Sequence, residues 1–303
     1  APPDLGVLGM GSNVVDVFFR LRGTMTEFDG AKGYFAKDSE VVGGVTLNHL
    51  TWASSLGVPT ALAALQGEDE PGRSIRAAMQ LHNVSSGALA VRAGASSSVS
   101  HVMLEASGAR TILMAPHATA QLSAPMVNEL FVGALERVQL VTTEVSQVPL
   151  DGVTALLAAA TARKIPTILD VDVPPSIAAG AAQLCESAAD VLAVSRLPTV
   201  LKTTRTAALE LLALDGADAG AAELSLDRLA VRVQLLTSAP LVAVTDGERG
   251  GALASAAGAA VALPPPPTGV AADSLDTTGA GDAFLGGLLA VLWRRGLGGA
   301  EGT

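Results

Sequence analysis

Cys185 is the only cysteine in 303 residues, which excludes an internal disulfide and any zinc site built on several thiolates. Aromatic residues are only 3% of the chain, so a core must be filled mainly by Ala, Val and Leu. No apolar run reaches the ~18–20 residues that span a bilayer; the longest are broken by glycine, proline or charge. Basic residues are the scarcer charge, 19 against 29 acidic, for a net of −10. Such a field repels phosphate backbones and argues against a nucleic-acid partner, while leaving room for a small anion at a local cluster of donors. No targeting segment is visible and the first residue is Ala. The expectation is an intracellular protein, in the cytoplasm, or in an organelle if a leader was removed.

What the chain does have is core: 49% of residues are hydrophobic and 16% charged. Buried strands are expected at "LGVLGMG" (5–11), "TALAAL" (60–65), "VQLVTTE" (138–144), "PTILDVD" (166–172), "DVLAVS" (190–195) and "LVAVTDG" (241–247). Helical patterns lie between many of them, at 150–164 and 225–236 among others. This alternation predicts an α/β fold, a doubly wound, mostly parallel sheet with helices on both faces. Ligands bind such sheets beyond the carboxyl ends of the strands. "VSHVMLEASGARTILMA" (99–115) reads as two strands around a turn, and 16–21 and 33–42 also read as extended. They predict a small antiparallel β lid from segments at about 12–45 and 88–117 of a single body, residues 1–303. "AVALPPPPTGV" (260–270) reads as a stiff connector rather than a strand.

The chemistry concentrates in "DTTGAGDAF" (276–284). Apolar residues at Phe284, Leu285, Leu288, Leu289, Leu292 and Trp293 have helical spacing, so a helix starts near Gly281–Asp282. Its first N–H groups lack intrahelical partners and carry partial positive charge. Gly279, Ala280 and Gly281 let an anion approach that backbone closely. A carboxylate beside a bound phosphate is repelled by ~4 kcal/mol at about 4 Å if the effective dielectric is about 20. Asp282 is tolerable there if it accepts a proton from an attacking hydroxyl, the geometry of phosphoryl transfer. The plainer alternative is an acid capping a helix after a glycine turn.

"DTTGAGDAF" resembles the C-terminal signature of the ribokinase-like carbohydrate kinases, the PfkB family, and further matches follow in order. "LGMGSNVVDVFFRL" resembles the opening strand, with Asp16 as its sugar-binding acid. "VVGGVTLNHLTWASSLG" resembles the N-terminal signature, with Gly43, Gly44 and Asn48 contacting substrate hydroxyls. "VTTEVSQVP" places Glu144, and "ILDVDVPP" Asp170 and Asp172, where the family has polar residues near phosphate and metal. "VTDGERGG" resembles the nucleotide-side turn, at Thr245 and Gly247. "EASGARTI" resembles the lid hairpin of ketohexokinase and its relatives. The resemblance implies an ATP-dependent kinase using Mg2+, with Glu144 reaching the metal through water. It also implies a monovalent cation such as K+ held by Asp276 and Thr278, and a homodimer formed through the lids. The implied acceptor is a hydroxymethyl group of a sugar or sugar-like molecule.

Two departures from the pattern stand out. The family's Asn-x-x-Glu motif, placed after "DVLAVS", is replaced by "SRLP", with Ser195 and Pro198 at its polar positions. The chain also stops soon after the signature helix, where the family continues through a segment that closes on the purine. Two other readings therefore stay open. One is a nucleoside acceptor, for which Phe18, Phe19, Tyr34 and Phe35 near the lid could stack a base. The other is a kinase-shaped interaction subunit that no longer catalyses. The four histidines are scattered without metal-ligand spacing and read as structural, His101 in the lid being the one placed to face substrate.

Overall fold

The computed structural model describes residues 5–25, 34–107, 109–181, 184–216, 219–265 and 279–296. Its main sheet has nine strands. They are β1 (Leu5–Met10), β4 (Thr60–Gly67), β5 (Val84–Arg92), β8 (Val138–Glu144), β9 (Thr167–Val171), β10 (Val200–Thr204), β11 (Leu241–Thr245), β12 (Gly251–Ser255) and β13 (Ala260–Leu263). The order across the sheet is β13-β12-β11-β10-β9-β8-β1-β4-β5, with every neighbouring pair parallel except β11–β12 and β12–β13 at one edge. The chain winds outward from β1 in both directions, through β4 to one edge and through β8 to the other. The switch point therefore lies beside β1, where a crevice opens past the carboxyl ends of the strands.

Alternate strand residues face opposite layers. Leu8 and Met10 of β1 enter a core with α3 (Ala124–Leu130), α4 (Leu150–Ala162), α6 (Ala188–Val194), α7 (Arg205–Leu214) and α8 (Leu226–Thr237). Val7 enters a second core with α1 (Val45–Ser55), α2 (Glu70–Leu81) and α9 (Ala280–Arg294). Burial on both faces explains why β4 is apolar along its length apart from its ends and Gln66, with every residue buried. In α9, Leu285, Leu289 and Leu292 anchor the helix, each contributing about 1.5–3 kcal/mol.

A second sheet of four strands stands off the first, ordered β3-β2-β6-β7. Its strands are β2 (Val14–Leu21), β3 (Phe35–Gly43), β6 (Ser98–Leu104) and β7 (Arg110–Ala115). Two antiparallel hairpin-like pairs, β2 with β3 and β6 with β7, join through a parallel β2–β6 pairing. The predicted lid segments supply these strands, while residues 88–92 belong to β5 of the main sheet.

Two sequence expectations are corrected. "DVLAVS" is not a strand: Ser187 and Asp190 form a reciprocal capping box that starts α6 over this stretch. Six apolar-rich residues fit either a short strand or a buried helix, and the local cap decides. The strand that follows is β10, so Ser195 and Pro198 lie before its amino end, away from the carboxyl edge. From the last residue of the strand the chain reads Thr204-Arg205-Thr206-Ala207, which again contains neither Asn nor Glu. The connector at 260–270 also begins as a strand, since Ala260–Leu263 pairs with β12 as the sheet's edge. Residues 266–270 lie outside the described residues.

Candidate active site

Asp282 is the third residue of α9, whose N-cap is Gly279 at φ 77°. Ala280 and Gly281 form the first helical positions between them. The helix lies directly on α1 because Gly286 has no side chain: a Cβ there would come within 2.3 Å of the Trp52 Cβ. This close crossing brings residues 234 apart in sequence into contact, and Asn48 Nδ2 donates to Asp282 Oδ2 at 2.7 Å. The α1 end of the contact is set by Gly44, the N-cap at φ 105°. A Cβ at Gly44 would lie 2.6 Å from the Ser12 carbonyl oxygen, so only glycine fits the turn from lid to helix.

Beneath the start of α9 lies a buried cluster in which Asp170 and Asp172 are joined by two residues that were not singled out, Lys202 and His49. Lys202, in the middle of β10, is fully buried. Its Nζ is 2.9 Å from Asp170 Oδ2 and 3.8 Å from Asp172 Oδ1, both at the end of neighbouring β9. The same Nζ is 3.3 Å from where a Cβ of Gly281 would be, which places the cation against the first turn of α9. His49, next to Asn48 on α1, is also fully buried, with Nε2 3.3 Å from Asp170 Oδ2 and 3.5 Å from Asp282 Oδ1. Three acids thus share one lysine and one imidazole. Asp282 keeps 12% of its side-chain surface exposed and Asp172 38%, while Asp170 is sealed.

Electrostatics follow from this packing. Burial would push the Lys202 ammonium down, but Asp170 and Asp172 outweigh it and hold the group above its ordinary value. Burial would push Asp170 up, but Lys202 and His49 hold it below the usual carboxylate range. Burial, then repulsion from Asp170, raises Asp172. For His49, burial would lower the imidazole, and the facing Asp170 and Asp282 carry it above the ordinary histidine value instead.

The acceptor-side residues come together above this cluster. Asp16 on β2 lies across from Ser100 of β6, and its Oδ2 would be 3.0 Å from a Cβ at Gly43. Burial pushes the Asp16 carboxyl up to about 6, offset in part by a hydrogen bond from Ser100. Asp16, Gly43, Gly44 and Asn48 therefore border one region beside Asp282. Thr245 ends β11 in register with Thr204 of β10, and Gly247 follows at φ 54° with open space around its Cα. Both lie on the same carboxyl edge, toward the β11 side.

Glu144 ends β8 in full burial. Its Oε1 accepts the Ser12 N–H at 2.8 Å and its Oε2 accepts the Ser146 hydroxyl, so it ties β8 to the loop after β1. Burial raises its carboxyl above the usual range despite these bonds. Asp276 and Thr278 lie outside the described residues. A hollow of about 600 Å3 between α4 and α6, lined by Leu150, Cys185, Asp190 and Leu197, includes none of the residues singled out by sequence. It is not the candidate site.

Lys202 and His49 escaped the motif reading. A lysine in "VLKTT" amid parallel strands must be buried and paired, which is a readable signal once the strand is placed at 200–204. His49 shows no metal spacing in sequence, yet one atom each from His49, Asp170 and Asp282 lies within 4.8 Å of the others.

The same architecture occurs in solved structures. Arabidopsis thaliana ribokinase complexed with ribose and ATP superposes with a TM-score of 0.75 at 19% identity, over 98% of this chain and 89% of that one. A Burkholderia thailandensis nucleoside kinase in complex with inosine gives 0.71 at 18% identity, over 96% and 85%. Giardia lamblia ribokinase gives 0.74 at 17%, over 96% and 84%. No curated protein sequence matches the chain significantly. The sequence profile described as pfkB family carbohydrate kinase matches residues 14–301, from the β2 that carries Asp16 through the helix that carries Asp282. With its signature segments meeting at one carboxylate on one sheet edge, this chain belongs to the pfkB family of carbohydrate kinases.

Proposed function

We propose that the chain is an ATP-dependent phosphotransferase acting on a hydroxymethyl group of a sugar or sugar-like small molecule. The observation that carries this reading is the Asp282 carboxylate at the N-terminus of α9, held by Asn48 and set above the buried Lys202. Asp282 takes the acceptor's hydroxyl proton, and the freed oxygen attacks the γ-phosphorus of ATP in line. The N–H groups at Gly279, Ala280 and Gly281, reinforced by Lys202, stabilise charge on the moving phosphoryl group. Asp16, Gly43, Gly44 and Asn48 orient the acceptor, and Thr245 and Gly247 border the nucleotide.

Among the acids beside Lys202, Asp172 has the solvent-reaching carboxylate that suits a hydrated Mg2+, whose charge would offset that of the ATP phosphates. Glu144, with both oxygens engaged, would join that shell only through water. A K+ at Asp276 and Thr278 remains part of this reading by family resemblance. Closure of the four-stranded sheet over the acceptor would exclude water, which otherwise competes as nucleophile.

The test is ADP release, by a coupled assay, across a panel of sugars and nucleosides. Turnover with a sugar bearing a free hydroxymethyl group supports the proposal. The nucleoside reading has its own support: Phe19 packs edge-on against Phe35 with centroids 4.9 Å apart and lies 5.5 Å from the His101 ring. The nucleoside kinase among the structural neighbours points the same way. Nucleosides outperforming every sugar would establish that version. No ADP release with any acceptor, together with stable capture of a protein partner, would favour the silent subunit.

Asp16 sets a pH dependence. Its ionised form accepts hydroxyl hydrogen bonds more strongly than its protonated form, so the acceptor KM should rise roughly fivefold as pH falls below about 6. The carboxyl is raised in the fold, so the folded protein holds the extra proton and gains stability as pH falls from about 6 toward the unfolded value of 3.8. Asp16→Asn should accordingly raise the melting temperature above about pH 6, an advantage that shrinks on acidification, while weakening acceptor binding at neutral pH. A variant that is less stable than the parent at pH 8 would contradict this account of Asp16.

We also place a homodimer contact on the lid. Tyr34 and Phe35 at one outer strand, and Ile112 and Met114 on one face of the other, are all more than two-fifths exposed, and exposed apolar side chains of this kind suit an interface. Sedimentation should give a dimer, and Phe35→Lys should shift it toward monomer. A monomeric parent at assay concentrations would remove the dimer.

A further inference from the structure

His49 has a position that no signature residue explains. It is fully buried, and neither ring nitrogen has a hydrogen-bond partner of good geometry among the described residues. Its Nε2 nevertheless lies between two carboxylate oxygens, 3.3 Å from Asp170 and 3.5 Å from Asp282. An imidazole lone pair aimed at two carboxylates would be repelled by both, so Nε2 carries the proton and is the donor. Asp170 already has a partner in Lys202, at 2.9 Å on the same oxygen. Asp282 has Asn48 on Oδ2, and His49 faces its Oδ1.

We infer that His49 is a positioning residue for Asp282, its Nε2–H alternating between the base and Asp170 as the base changes charge. The inference rests on Asp282 being the base of the proposed reaction. Before transfer, Asn48 bonds one oxygen of the ionised carboxylate and the adjacent His49 faces the other at 3.5 Å, close enough to draw together as the acceptor binds and fix its plane. When the acceptor's hydroxyl proton moves to Asp282, the carboxyl becomes a weaker hydrogen-bond acceptor. The Nε2–H then shifts to Asp170, which stays ionised because Lys202 neutralises it. His49 keeps its own proton throughout, so the only bond made to hydrogen is on Asp282 and the only one broken is on the acceptor. After release of the phosphorylated product, Asp282 returns its proton to water and recovers His49.

Two variants and one spectrum test this. His49→Leu removes the donor at similar volume, and His49→Gln keeps an N–H donor. With the acceptor found by the panel, His49→Leu should lower kcat roughly 10- to 100-fold, with KM for ATP and acceptor little changed. His49→Gln should recover a substantial part of that loss, with melting temperatures of the two variants alike. Equal loss in both variants, a loss expressed in KM, or undiminished kcat in a folded His49→Leu protein would overturn the role. The ring itself can be read without turnover, by nitrogen-15 NMR of histidine-labelled protein. Protonation at Nε2, with a shift of its signal in Asp282→Asn, is expected. A ring carrying its proton on Nδ1 alone overturns the inference, including by direct metal binding at Nε2. A parent protein that phosphorylates nothing instead counts against the kinase reading, and the NMR result still judges the placement of His49.

Discussion

Asp282→Asn should lower kcat by on the order of 100- to 10,000-fold while leaving ATP binding and the fold intact. The substitution keeps size and shape but removes the site that takes up the hydroxyl proton. The amide also fits its neighbours: its oxygen can accept from His49, and its NH2 can donate to the Asn48 carbonyl once that amide flips. Stability should change little, because the neutral amide removes the repulsion with Asp172 together with the attraction to His49 and Lys202. The measurement pairs steady-state turnover with calorimetric ATP titration. Turnover near the parent value would remove Asp282 from the base role, and loss of ATP binding alongside turnover would make its role structural.

The proposed base and the glycines before it stand out in the sequence because the pattern there is local. Small residues, an acid and the start of an amphipathic helix stand within nine positions, and each constrains the next. Gly43, Gly44 and Asn48 were legible for the same reason. What sequence alone could not show is that these two segments touch, since the contact between Asn48 and Asp282 depends on α1 and α9 crossing at Gly286. The polar floor was less visible still. Lys202 lies in a strand that the apolar pattern put ten residues too early, because "DVLAVS" imitates a buried strand until its Ser-Asp capping box is recognised. His49 gave no signal on its own, its partners being more than 100 residues away on β9 and α9. Glu144 was found at its strand end, but its bond to the Ser12 amide comes from the β1–β8 pairing and not from any local pattern.

The largest stability effect should come from Lys202→Met. Lys202 and Asp170 lie opposite each other in adjacent parallel strands, both without solvent contact, and their side chains meet at 2.9 Å. Removing the ammonium leaves the Asp170 carboxylate buried without its lysine partner, a change that costs about 3–5 kcal/mol when one partner of a buried pair is lost. The sign with pH is fixed by both groups. Asp170 is depressed in the fold, so its contribution is present above the unfolded carboxylate value and is lost as pH falls through the lower folded one. Lys202 is raised, so its contribution is complete below the unfolded lysine value and is lost only above it. The destabilisation by Lys202→Met should therefore be nearly constant between about pH 5 and about pH 9. Neutralising the survivor separates structure from catalysis. In Lys202→Met with Asp170→Asn, the orphaned charge is gone and most of the stability should return, as expected when both members of a buried pair are replaced. Turnover should not return, because no cation then lies against the first turn of α9, and losing one such stabiliser costs about 100- to 1,000-fold in kcat. Chemical denaturation and ADP-release kinetics on the two variants decide the matter: if the double variant regains both stability and turnover, Lys202 serves the fold alone.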